Sequence, residues 1–138
     1  MHKRLMRTSR LIALALVGVS TLAACAGGAE SGGETLDADA FAELTASQGV
    51  VVLDVRTPEE FASGHLPDAV NIDVSAPDFA ARVATLDLDA SYALYCRTGN
   101  RSATAMQVMQ DAGFESLAHL GGGIVAWVDA GGDVVTGP

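Results

Sequence analysis

A single thiol flanked by two guanidinium groups is the most chemically suggestive feature of this chain. It lies in the run Cys96-Arg97-Thr98-Gly99-Asn100-Arg101-Ser102. Tyr92 to Tyr95 before it reads as a short strand, and Ser102 to Ala112 after it as a helix with apolar residues at Ala105, Met106, Val108, Met109 and Ala112. A strand, a turn containing Gly99 and a helix start bring several backbone N–H groups to one point, and such a point favours an anion. The Cys96 sulfur is expected there. A free cysteine is mostly protonated at neutral pH, whereas backbone donors, the helix terminus and Arg97 and Arg101 all favour the thiolate, so the sequence predicts a depressed thiol pKa. His65 and His119 are distant from Cys96 in sequence, and a Cys–His pair of the protease kind is not expected.

The surrounding chain must first be stripped of its export signal. Residues 1–24 have Lys3, Arg4, Arg7 and Arg10 with no acid, then an apolar run from Leu11 to Ala24 that ends in small residues, the pattern of a secretory signal. That run is short for a membrane-spanning helix. Leu22-Ala23-Ala24-Cys25 resembles a bacterial lipobox, and this resemblance implies cleavage before Cys25 and acylation of its thiol. The expected mature protein is therefore exported and lipid-anchored at the cell membrane, with its domain on the extracytoplasmic side. Residues 25–34 form a Gly/Ser-rich tether and 35–138 the folded domain. Removing the signal leaves four arginines against seventeen acids, a net charge of −13, which argues against nucleic acid as a partner. Two of those four arginines flank Cys96. The pattern suits a local site for a small anion.

Positioning elements follow from local signals. Asp39 to Ser47 reads as a helix, and Val50 to Leu53, apolar and bounded by Gly49 and Asp54, as a strand buried on both faces. Thr57, Pro58 and Glu60 form a capping-box helix start. His65 to Asp68 is a turn, Ala69 to Ile72 a second strand and Pro77 to Thr85 a further helix. Leu117 to Leu120 reads as another strand, followed by three glycines and a helix from Ile124 to Ala130 with Trp127 toward the core. Alternation of strands and helices predicts an α/β fold whose central parallel sheet has four or five strands flanked by helices. Ligands of such sheets bind beyond the carboxyl ends of the strands, where the Cys96 loop lies.

Four separated motifs, in order, resemble a single rhodanese domain: Asp54 to Phe61, Gly64 to Pro67 with Ala69 and Asn71, Cys96 to Ser102, and Gly122-Gly123 followed by Trp127. The resemblance implies a rhodanese-like fold and a sulfurtransferase. Cys96 would take the outer sulfur of thiosulfate or a similar donor as a persulfide and pass it to cyanide or a thiol. Residues Arg97, Thr98, Gly99, Asn100, Arg101 and Ser102 would bind substrate, with the two arginines on the donor sulfonate. Asp54, Arg56 and Glu60 are expected to brace the loop arginines and strand ends. No metal or organic cofactor is needed, and a monomer is expected. Phosphate- and arsenate-binding members of the fold have five residues between cysteine and arginine; here four separate Cys96 from Arg101. The alternative is a membrane-tethered binding or sulfur-carrier module without efficient turnover. Asp68 stands where the family usually has a small residue, and Gly121 where a polar one is frequent.

Overall fold

A computed structural model of the chain describes residues 32–138. The expected signal segment, the lipobox-like run with Cys25 and nearly all of the expected tether lie outside the described residues. Five parallel strands form one sheet: β1 (Glu34–Leu36), β2 (Val50–Asp54), β3 (Val70–Asn71), β4 (Ser91–Tyr95) and β5 (Leu117–Leu120), in the order β1-β5-β4-β2-β3. Helices α1 (Ala38–Thr45), α2 (Pro58–Ser63), α3 (Phe79–Val83), α4 (Asn100–Asp111) and α5 (Gly123–Asp129) complete the described residues. The α/β class and the parallel sheet agree with the sequence reading.

Central strand β4 is buried on both sides, and its alternating side chains divide the core. Tyr92 and Leu94 join Leu53, Phe79, Met106 and Met109 on the α3/α4 side. Ala93 and Tyr95 join Phe41, Val52, Leu66 and Leu120 on the other, with Trp127 half-buried against them. The period of two along a strand explains this division. It also sends Cys96, one step past β4, to the α4 side.

Strand β1 has no counterpart among the strands read from the sequence. Glu34, assigned above to the tether, is its first residue, and Glu34 to Leu36 pair with Ala118 to Leu120 of β5. A Glu-Thr-Leu triplet has no apolar run of its own. It becomes a strand because β5 offers an unpaired edge.

Helix boundaries shift for local reasons. The Thr57/Glu60 capping box is present, with Pro58 at the first helical position. Helix α4 begins at Asn100 rather than Ser102, because Gly99 takes the cap position in a left-handed conformation, φ 109°. Ser102 thus lies inside the first turn, its hydroxyl released from capping. At the other end Phe114 N–H donates to Met109 O and Gly113 N–H to Gln110 O, a Schellman closure with Gly113 at φ 99°.

Candidate active site

The Cys96 loop is held from outside by the start of α5. Ile124 N–H donates to Cys96 O at 2.9 Å and Val125 N–H to Arg97 O at 3.3 Å. With those carbonyls turned outward to α5, the loop's N–H groups are left for its interior. Gly123 must be glycine: its φ is 62°, and a Cβ there would strike the Arg97 carbonyl.

Within the loop Cys96 is 1% exposed, and its sulfur accepts the Gly99 N–H at 3.1 Å. Ser102 Oγ lies 3.5 Å from it. Burial pushes the thiol pKa up, but the Ser102 hydroxyl and the N–H groups of Ser102, Gly99 and Thr98 outweigh burial, and the net direction is down. The direction matches the sequence reading, but its leading causes are the serine and the backbone rather than the guanidinium groups.

The two arginines part company. Arg101, expected to meet an incoming sulfonate, has both terminal nitrogens on Glu60, at 2.7 and 2.8 Å. Glu60 Oε2 also accepts the Thr57 N–H at 3.1 Å. One carboxylate therefore closes the capping box and clamps the far end of the Cys96 loop. Hydrogen bonding to Arg101 holds the Glu60 carboxyl down at about 2. Arg97 remains exposed, with no side-chain partner among the described residues. It walls a cleft of about 570 Å³ together with Arg56, Ile124, Val125 and Val128; Cys96 is not on the cleft surface. Thr98 and Asn100 are exposed at the loop's rim, and Gly99 is buried.

Asp54 and Arg56 lie below, at the carboxyl end of β2. Arg56 Nε and Nη2 donate to the Asp54 carboxylate, and Nη2 also to Gly64 O at 2.7 Å. Tyr95 donates its hydroxyl proton to Asp54 at 2.6 Å and accepts the Leu66 N–H at 3.1 Å. The guanidinium sits 5.5 Å over the Tyr95 ring. Burial and the adjacent Asp54 push the Tyr95 phenol well above its ordinary range, so it stays a donor. This network ties β2, β4 and the Gly64 turn together and does not touch the sulfur.

Residues 37–130 match the profile of the family described as Rhodanese-like domain. The chain belongs to the rhodanese-like family. Its similarity to the rhodanese-related protein of Thermoplasma volcanium has a TM-score of 0.65 at 31% identity, covering 74% of this chain and 97% of that structure. The thiosulfate sulfurtransferase GlpE of Pseudomonas syringae is 36% identical over 87 residues, 62% of this chain and 79% of that protein. Protein HIGH ARSENIC CONTENT 1, mitochondrial, of Arabidopsis thaliana is 39% identical over 95 residues, 62% of this chain; the chain spans only 56% of that relative's length.

One residue of this rhodanese-like site is missed by sequence reasoning. His119 of β5, set aside above, reaches Ser102 with its Nδ1 at 2.9 Å. Only the adjacency of β5 and α4 brings them together. His65, by contrast, is a turn residue as read, stacked on Phe61 and bonded through Nδ1 to Phe61 O. Among the described residues no group of three His, Cys, Asp or Glu side chains could hold a metal.

Proposed function

We propose that this domain is a sulfurtransferase that moves a sulfane sulfur from thiosulfate or a similar small donor to cyanide or a thiol through Cys96. The observation that carries the reading is the sulfur's setting: a buried thiol with a Gly99 N–H on it at 3.1 Å, inside a loop whose donors favour its anion. The Cys96 thiolate attacks the outer sulfur of thiosulfate, the S–S bond breaks and sulfite leaves with the electron pair. The resulting persulfide is an anion, cradled by the same donors that held the thiolate. Attack by cyanide on the outer sulfur then releases thiocyanate and restores the thiolate. Burial of the sulfur restricts the donor to a slim anion, and Arg97, exposed and without a side-chain partner among the described residues, is the guanidinium that meets its sulfonate. Similarity to the thiosulfate sulfurtransferase GlpE of Pseudomonas syringae supports thiosulfate as donor.

Phosphate chemistry fits less well. The loop is one residue short, and Arg101, the arginine placed to hold a phosphoryl group, is committed to Glu60. Purified protein should form thiocyanate from thiosulfate and cyanide with no turnover of an aryl phosphate, and Cys96→Ala should abolish it. Equal activity in the variant refutes the proposal; pull-down of a partner that does not depend on Cys96, without turnover, would favour a binding module. We also propose, from the lipobox, that acylated Cys25 anchors the exported domain to the membrane. Detergent-phase partitioning that persists in Cys25→Ala would overturn that part.

A further inference from the structure

The reaction above leaves His119 without a task, yet its ring is buried and both of its nitrogens are engaged. Nε2 lies 3.0 Å from Thr35 Oγ1, Nδ1 lies 2.9 Å from Ser102 Oγ, and Ser102 Oγ lies 3.5 Å from Cys96 Sγ. Side chains from β1, β5 and α4 thus form a line of hydrogen bonds ending at the sulfur just beyond β4. We propose that His119 is a positioning residue which, held by Thr35, directs the Ser102 hydroxyl and so favours the thiolate and persulfide of Cys96. The inference rests on Cys96 being the reactive thiol.

Proton counting gives the line a direction. Ser102 has one hydroxyl proton, and the Gly99 carbonyl 3.0 Å away can only accept it. In the thiol state the S–H donates to Ser102 Oγ, and the hydroxyl proton rests on the Gly99 carbonyl. Once the thiol proton has left to solvent, the hydroxyl turns from that carbonyl to the sulfur anion. This turn requires that His119 carry its proton on Nδ1, where it donates to Ser102 Oγ while Thr35 donates to Nε2. With the proton on Nε2 instead, the bare Nδ1 competes for the serine proton, and the anion loses that donor.

The surroundings favour neutral imidazole. His119 is buried against Thr35 of β1, Leu94 of β4 and Ser102 of α4, none of them charged, and burial lowers its pKa. Among the described residues the charged side chains of the loop are Arg97, which is exposed, and Arg101, which is paired with Glu60. Neither guanidinium hydrogen-bonds the sulfur, so among the described residues Ser102 is its one side-chain hydrogen-bond partner. Thr35 explains why β1 matters to the site: the short edge strand brings the hydroxyl that meets Nε2.

The test is the pH dependence of iodoacetamide alkylation at Cys96, followed on the full chain by mass spectrometry of its peptide. His119→Leu keeps the Ser102 hydroxyl but leaves it free to stay on the Gly99 carbonyl, and should raise the apparent thiol pKa and slow alkylation at neutral pH about three- to fivefold. Ser102→Ala, which removes the donor itself, should slow alkylation at least as much, and adding His119→Leu to it should change the rate less than about twofold, because the link is already cut. His119→Asn, whose amide can still donate to Ser102, should retain the wild-type profile within about twofold and covers the case in which leucine fails to fold. Wild-type alkylation by His119→Leu, or an undiminished effect in the Ser102→Ala background, overturns the proposal, as does a His119→Asn profile like that of leucine. Alkylation needs no sulfur donor. A failed sulfurtransferase assay is therefore distinguishable from a failed relay.

Discussion

Alanine at Gly99 should be far more costly than alanine at Gly49, although both glycines have positive φ. At Gly49, φ is 81° and an added Cβ would meet nothing within 4 Å, so only backbone strain of about 1 kcal/mol is expected. At Gly99, φ is 109° and the Cβ would fall on the carbonyl oxygen of Gly121. That carbonyl cannot easily retreat, because Gly121 N–H is bound to Leu36 O at 2.9 Å and Thr35 lies against Gly121. Strain of about 1–3 kcal/mol and an overpacking cost of about 1–3 kcal/mol together give about 2–6 kcal/mol. A domain of this size has about 5–15 kcal/mol in total. With a urea slope of about 1–2 kcal/mol/M, the Gly99→Ala midpoint should fall by more than about 1 M, and the Gly49→Ala midpoint by less. Since Gly99 N–H is a donor to the sulfur, Cys96 alkylation should slow in Gly99→Ala and not in Gly49→Ala. Equal midpoint shifts would refute the claim that the Gly121 segment buttresses the loop.

Two further substitutions probe the braces. Glu60→Gln should destabilise by about 1 kcal/mol at neutral pH, a modest figure because both partners are about a third exposed and solvent screens them. Because the folded Glu60 carboxyl is held at about 2, below its value of about 4.3 in an unfolded chain, its contribution is complete above the unfolded value and lost as pH falls toward 2. The urea-stability gap between wild type and Glu60→Gln should accordingly close between about pH 5 and pH 2, and a gap constant with pH would contradict the ion pair. Tyr95→Phe strips Asp54 of a donor and Leu66 N–H of its acceptor in a buried setting, and should lower stability by about 1–3 kcal/mol in urea titration; an unchanged midpoint would show the network to be dispensable.

Features legible in the sequence were those with local causes. Val50 to Leu53 and Leu117 to Leu120 read as strands because apolar runs bounded by glycine or polar residues need no tertiary help, and Thr57 to Glu60 read as a helix start because a capping box closes within four residues. The loop was legible because its seven residues are contiguous. What escaped depends on neighbours far along the chain. β1 exists through pairing with β5, 84 residues away, and His119 reaches Ser102 only through the position of β5 beside α4. The capture of Arg101 by Glu60 joins residues 41 apart, and no pattern around Arg101 announces it. Asp68 was noted as a departure from the family; its φ of 61° supplies the reason a small residue is usual there.

The central claim, that Cys96 carries sulfur covalently, is tested most directly by intact-mass measurement of the purified protein before and after exposure to thiosulfate. The account predicts a gain of one sulfur atom, located on the Cys96 peptide and lost on treatment with cyanide. An unchanged mass, or a sulfur that persists in Cys96→Ala, would contradict it.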